Sequence, residues 1–203
     1  MQEYILIPCK ALRDGKSRLA SILSAAERQA LCARLLRNAL GLARTLQSAR
    51  HVRVITPDAE VAVIAAEFGI GRISDGGTNL NEALERGRAN ILEESGGDAE
   101  AIILPIDLPY ATADAIGRAK AREFDVVLAA DAERRGTNLL YLGNRALPIF
   151  PFAFGPGSFA RHRSWAESKG LRVDAVDDPR LSFDIDRPCD YERWRRQTGD
   201  GSG

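Results

Sequence analysis

Short apolar runs and amphipathic stretches alternate along most of the chain. Tyr4 to Pro8 is an apolar run of strand length, and "SAAERQALCARLLRNALGLARTLQ" follows with apolar residues at helical spacing. Ser24 and Glu27 stand at capping-box spacing where that helix should begin. "HVRVITP" reads as a second strand, "AEVAVIAAEFG" as a helix stopped by Gly69, and "IGRIS" as a third short strand. "NLNEALERGRANILEE" is a helix ahead of the strand "AIILPID"; a helix from about Thr112 to Glu123 precedes the buried strand "DVVLAA". Such alternation predicts an α/β fold, a mostly parallel sheet with helices on both faces.

The rhythm changes near residue 131. "TNLLYLG" follows "DVVLAADAERRG" after too few residues for a helical crossover, which predicts an antiparallel strand and a mixed sheet. "GPGSFARHRSWAESKG" is a helix with glycines at both ends, "LRVDAV" and "LSFDID" read as extended segments, and a last helix runs from roughly Pro188 to Gln197. No linker, repeat or low-complexity stretch interrupts this order. One domain over residues 1–198 is expected, with 199–203 as a loose tail.

Composition narrows the class. At 203 residues and 45% hydrophobic content the chain can bury a substantial core. Lys plus Arg and Asp plus Glu balance at 28 each, so the basic excess of a nucleic-acid binder is missing and no nucleic-acid partner is expected. No run approaches the apolar length of a membrane span and no leader pattern precedes "EYILIPCK"; a cytoplasmic protein without a membrane partner is expected. Cys9, Cys32 and Cys189 are odd in number and widely spaced, which reads as reduced thiols.

Four stretches carry candidate chemistry. In "ILPIDLPY" the carboxylate of Asp107 stands at the end of an apolar strand, where a buried charge needs a partner. In "SFDIDRP" Asp184 and Asp186 alternate around Ile185 and so share one face of an extended segment. Beside Asp107 they would aim three carboxylates at one point, where Mg²⁺ is the fitting cation; alternatively, Asp184 caps a turn and Asp186 the last helix. The loop "PCKALRDGKSRLA" clusters Lys10, Arg13, Lys16 and Arg18 after a strand, with Gly15 permitting a tight turn. It could cradle a triphosphate, but lacks Walker A spacing. "SDGGTNLNEAL" offers Gly76 and Gly77 for close approach and Asn79 or Asn81 for a base edge or ribose, against the alternative of an ordinary turn with an Asn cap. "FGPGSF" puts Gly155, Gly157 and Ser158 at a helix N-terminus, an anion site with Thr137 of "RRGTN" as neighbour.

In that order and at those intervals, "IPCKAL", "GKSRLA", "LPIDLP", "RRGTN", "FGPGSFARH" and "FDIDRP" resemble the CofC/FbiD family of guanylyltransferases from deazaflavin coenzyme biosynthesis, over nearly the whole chain. The resemblance implies a nucleotidyltransferase fold related to the GT-A type. It implies transfer of GMP from GTP to a phosphorylated three-carbon acid: 2-phospholactate, phosphoenolpyruvate or 3-phosphoglycerate. Asp107, Asp184 and Asp186 fall on the family's Mg²⁺ aspartates; Thr137, Gly155 and Ser158 on its acid pocket; Lys16, Ser17, Arg18 and the Gly76–Asn81 loop on its nucleotide site, with Lys10 in the same cationic loop. Lys16, Arg18 and Asp107 are the expected catalytic groups, and a homodimer is compatible with the reading. Asn79 stands where a third glycine is usual, which suggests a left-handed backbone there. His51 and His162 receive no chemical role, although Arg161 and His162 could reach a phosphate from their helix. Two other readings stay open. A sugar-phosphate or molybdopterin nucleotidyltransferase on the same fold is disfavoured by the missing "GxGTR"-like opening; a non-catalytic nucleotide-binding regulator is disfavoured by the presence of all three aspartates.

Overall fold

The structure, a computed structural model, describes residues 1–76, 79–120 and 123–199. Among these residues seven strands, β1 (Gln2–Pro8), β2 (Val52–Ile55), β3 (Gly71–Ile73), β4 (Ala99–Ile103), β5 (Val126–Ala130), β6 (Thr137–Leu142) and β7 (Val173–Val176), form one sheet in the order β3-β2-β1-β4-β6-β5-β7. Every neighbouring pair is parallel except those of β6, which runs antiparallel to β4 and to β5. The change of rhythm near residue 131 is therefore a strand reversal. The N-terminal end of β6 lies at the same edge of the sheet as the carboxyl ends of the parallel strands.

Among the described residues seven α-helices accompany the sheet: α1 (Ala25–Leu46), α2 (Ala59–Glu67), α3 (Leu80–Ser95), α4 (Ala113–Ala119), α5 (Ser158–Ser168), α6 (Pro179–Ser182) and α7 (Pro188–Thr198). Period-two alternation sorts the strand side chains between two cores. Ile5 and Ile7 of β1 pack with α1, α2 and α4 on one face, while Tyr4 and Leu6 pack with α3 and α5 on the other. The expected capping box opens α1: Ser24 Oγ accepts the Glu27 amide, and the Glu27 carboxylate accepts the Ser24 amide at 2.7 Å. A third cluster lies off the sheet, where Leu19, Leu23, Leu31, Leu35, Phe183, Ile185 and Trp194 tie the loop after β1 to α1, α7 and the "FDID" segment.

Two expected elements are corrected. β4 ends at Ile103, because Pro105 cannot donate a ladder hydrogen bond, and Asp107 stands in the turn beyond it with its side chain 29% exposed. The segment "LSFDID" is not a strand throughout. Asp178 accepts the Arg180 amide, Pro179 takes the first helical position, and α6 consumes Leu181 and Ser182 before the chain extends. The expected tail beyond Gly199 falls outside the described residues.

Gly87, inside α3, is costly for a helix but necessary here. A Cβ at this position would collide with Ile55 Cδ1 of β2 and stand 3.2 Å from Leu6 Cδ1 of β1, so glycine lets α3 lie close on the sheet. Gly87→Ala should lower the unfolding free energy by about 1–3 kcal/mol in urea titrations. Ile55→Val removes the colliding atom, so the double variant should recover part of that loss; a strictly additive pair would show that α3 relieves the contact by shifting.

Candidate active site

The loop after β1 is a pair of short 3₁₀ turns, Leu12–Asp14 and Ser17–Leu19, nailed down by the buried Leu12 and Leu19. Gly15 was expected to allow a tight turn, but its φ is −74°. Glycine is required there because a Cβ would strike Cys32 Sγ of α1. The left-handed residue is Lys16, at φ 52°, a conformation that costs a residue with a Cβ. It turns the Lys16 side chain inward, 8% exposed, with Nζ 2.8 Å from Asp107 Oδ2. Lys16 is thus the partner that the charge in "ILPIDLPY" requires. Two residues on, Arg18 pairs with Asp186.

The segment after α6 reaches Asp107 through its backbone: the Ile185 amide donates to the Asp107 carbonyl at 3.1 Å. Phe183 and Ile185 point into the third cluster, and Asp184 and Asp186 alternate away from them, as the period-two spacing predicts. Asn138 of β6, buried, holds the segment from the other side by donating to the carbonyls of Leu181 and Ser182, both at 3.1 Å, and to Asp184 Oδ1 at 3.4 Å. The capping alternative fails for Asp186. Arg187 is the N-cap residue of α7, and the Asp190 carboxylate accepts the amides of Arg187 at 2.8 Å and Asp186 at 3.3 Å.

Lys10, Lys16, Ser17, Arg18, Asp107 and Asp186 line one cavity of about 900 Å³ at the carboxyl ends of the parallel strands. Asn79, at its margin, is extended at φ −72° instead of left-handed, and its Oδ1 accepts the amides of Asn81 and Glu82 to cap α3. Gly76 is left-handed at φ 69°; Gly77 lies outside the described residues. Asn81, expected at a base edge or ribose, is engaged elsewhere: its Oδ1 accepts the Phe154 amide at 2.7 Å and its Nδ2 donates to the Phe154 carbonyl at 3.3 Å.

Thr137 and Ser158 meet in a separate buried cluster, where the Thr137 amide donates to Ser158 Oγ at 3.0 Å. Gly155, at φ 127°, lies in the loop leading into α5. His162 is 1% exposed, and Arg161 donates to the carbonyls of Pro156 at 2.6 Å and Ala153 at 2.8 Å. Neither is poised to meet a phosphate in this structure: the first is enclosed and the second holds the loop.

The family described as guanylyl transferase CofC like matches residues 3–193. The chain belongs to this family. Among curated relatives of this CofC-like chain, the phosphoenolpyruvate guanylyltransferase of Rubrobacter xylanophilus is 36% identical over 98% of this chain and 96% of its own length. That of Sphaerobacter thermophilus is 38% identical over 95% and 92%. A 3-phospho-D-glycerate guanylyltransferase of Phenylobacterium zucineum is also 38% identical, over 94% and 88%. Among solved structures, a nucleotidyl transferase from Methanothermobacter thermautotroptrophicus superposes with a TM-score of 0.69 at 14% identity, covering 99% of both chains. A cytidylyltransferase from Leptospira borgpetersenii superposes at 0.62 and 13%, covering 100% of this chain and 89% of its own. These two likenesses establish the nucleotidyltransferase fold.

The CofC-like site carries unequal electrostatic loads. Burial alone would lower the Lys16 pKa, but Asp107, followed by Asp186 and Asp184, outweighs it and the net direction is upward. Burial, then the Asp107 charge, pushes the Asp184 carboxyl up to about 6. Among the described residues no three His, Cys, Asp or Glu side chains stand close enough to ligate one ion. Lys16 and Arg18 already pair with two of the carboxylates. The unmet negative charge is at Asp184.

Asp184 binds its proton more readily in the folded chain than in the unfolded one. Its contribution to stability is therefore fully present below the ordinary 3.8 and is lost as pH rises through about 6. Asp184→Asn should flatten the fall in stability between about pH 4 and 6, read from ligand-free urea melts against wild type. An identical slope in both proteins would show that the carboxyl is not under this load.

Proposed function

We propose that the chain transfers GMP from GTP to a small phosphorylated three-carbon acid, with release of pyrophosphate. One observation carries the reading: a single cavity at the carboxyl ends of the strands joins the cationic loop of Lys10, Lys16 and Arg18 to the carboxylates Asp107 and Asp186. Its volume of about 900 Å³ suits a nucleotide-sized ligand. The names of the guanylyltransferase relatives support a guanylyl group as the one transferred and a phosphorylated three-carbon acid as acceptor.

In this reaction an oxygen of the acid's phosphate attacks the α-phosphorus, the bond to the β-phosphate oxygen breaks, and pyrophosphate carries away the displaced electron pair. The acid's phosphate is already ionised near neutral pH, so no general base is needed. Lys16, held by Asp107, and Arg18, held by Asp186, are cations oriented before the substrate arrives and can stabilise the departing pyrophosphate. Asp107, Asp184 and Asp186 are hard oxygen donors of the kind Mg²⁺ takes and burial loads the charge of Asp184, but the three would have to draw closer than they stand here to share one ion. When bound there, Mg²⁺ would neutralise the charge of the two polyanions as they meet. Ser17 and the Gly76–Asn81 loop would flank the nucleotide, and Thr137, Gly155 and Ser158 would receive the acid.

Pyrophosphate release measured across the four NTPs and 2-phospholactate, phosphoenolpyruvate and 3-phosphoglycerate tests the reading. GTP with at least one of these acids should give turnover. Release only with another NTP and a sugar phosphate would overturn it. In the active pair, Lys16→Met should lower kcat by about 10²-fold or more while the circular dichroism spectrum stays that of wild type; full turnover would remove Lys16 from the machinery.

A further inference from the structure

His162 was given no chemical role, yet it is enclosed by aromatic rings beside two residues of the acid pocket. Its ring lies 5.2 Å from that of Phe150 and 5.0 Å from that of Phe154, centroid to centroid. Both its nitrogens are engaged. Nε2 is 3.0 Å from the Ala153 amide nitrogen, and Nδ1 is 3.0 Å from Thr137 Oγ1.

The direction of each hydrogen bond follows from one fixed point. A backbone amide can only donate, so Nε2 must present its lone pair to Ala153. The ring is then neutral with its proton on Nδ1, and Nδ1–H donates to Thr137 Oγ1. Thr137 Oγ1 is thereby an acceptor, and its own proton must point elsewhere. Next to it, the Thr137 amide donates to Ser158 Oγ at 3.0 Å, which makes that hydroxyl an acceptor too. Among the described residues neither hydroxyl proton has an acceptor. Two buried donors, 8% and 1% exposed by residue, are left unspent side by side, and leaving them so is costly. An anionic oxygen is the group that would satisfy them; a cation or another donor would not. The first turn of the eleven-residue α5, which begins at Ser158, adds its amides to the same polarity.

We infer that His162 is a positioning residue of the acid subsite, whose Nδ1–H tautomer orients the Thr137 hydroxyl as a donor, beside that of Ser158, toward an oxyanion of the acid. The inference rests on the proposed placement of the acid at Thr137, Gly155 and Ser158. Burial first, and the Arg161 charge second, lower the His162 pKa to about 4, which keeps the ring neutral over the working range. His162 also secures Ala153 at the start of the loop containing Gly155, so one ring fixes both the Thr137 hydroxyl and the backbone of that loop.

Two measurements test this. Nitrogen-15 NMR of the wild-type imidazole, without substrate, should show protonated Nδ1 and bare Nε2; the opposite tautomer would overturn the inference whatever the enzyme turns over. In steady-state kinetics, His162→Phe keeps a ring between Phe150 and Phe154 but loses both hydrogen bonds. It should raise the KM for the acid by about tenfold or more and leave that for GTP within about twofold. His162→Gln, which offers one acceptor and one donor, should recover part of the loss. Equal rises in both KM values, or no recovery with Gln, would return His162 to a packing role. Wild-type protein that releases no pyrophosphate with any phosphorylated acid would defeat the functional reading, and the acid-orienting role would fall with it, even with the tautomer as expected.

Discussion

Three carboxylates and a buried ammonium at one edge of a parallel sheet set the terms for the rest of the molecule. Asp107, Asp184 and Asp186 repel one another, and together they outweigh the burial that would otherwise lower the pKa of Lys16. The arrangement is balanced for Lys16 and Asp107, which share a 2.8 Å contact, and unbalanced for Asp184, whose pKa rises. Lys16 and Arg18 pair with Asp107 and Asp186 inside the protein, and Asp184 is left with the heaviest electrostatic load of the three.

Holding such groups together requires rigid supports, and the fold supplies them from three directions. The apolar cluster around Leu19, Ile185 and Trp194 seats the loop after β1 and the "FDID" segment on common ground. The hydrogen bond from the Ile185 amide to the Asp107 carbonyl sets the spacing between the two acidic segments through backbone, so it does not depend on a side chain. Asn138 completes the clamp from β6 with three acceptors for one amide group.

Much of this was legible in the sequence because it follows from local periodicity. Alternation located the strands and both their faces, the capping box located the start of α1, and the pattern around Ile185 put Asp184 and Asp186 on one side. What stayed hidden depends on contacts distant in sequence. Gly15 beside Lys16 invited the wrong residue for the left-handed turn, because the collision that demands glycine comes from Cys32 on α1. Asn138 stands in "RRGTN" beside Thr137 and gave no local sign of its targets. Asn81 and His162 likewise make contacts visible only once α3, α5 and the "FAFGPG" loop are assembled. The helix α6 is the exception: the Asp-Pro start signal at 178–179 was present and local, and was outweighed by the apparent alternation that follows.

The reversed strand β6 has a consequence for how such a protein can diversify. A wholly parallel sheet offers only strand exits at its ligand edge; this one also offers a strand entrance, Thr137 and Asn138, at the same edge. The two residues face different clients, Asn138 the acidic segment and Thr137 the hydroxyl cluster. Changes in the loop before α5 can therefore reshape the Thr137 side without touching the Lys16–Asp107 side. With the acid and the nucleotide placed as proposed, that partition would give one scaffold a physical route to exchange its acceptor while retaining its donor; relatives are named for two different phosphorylated acids.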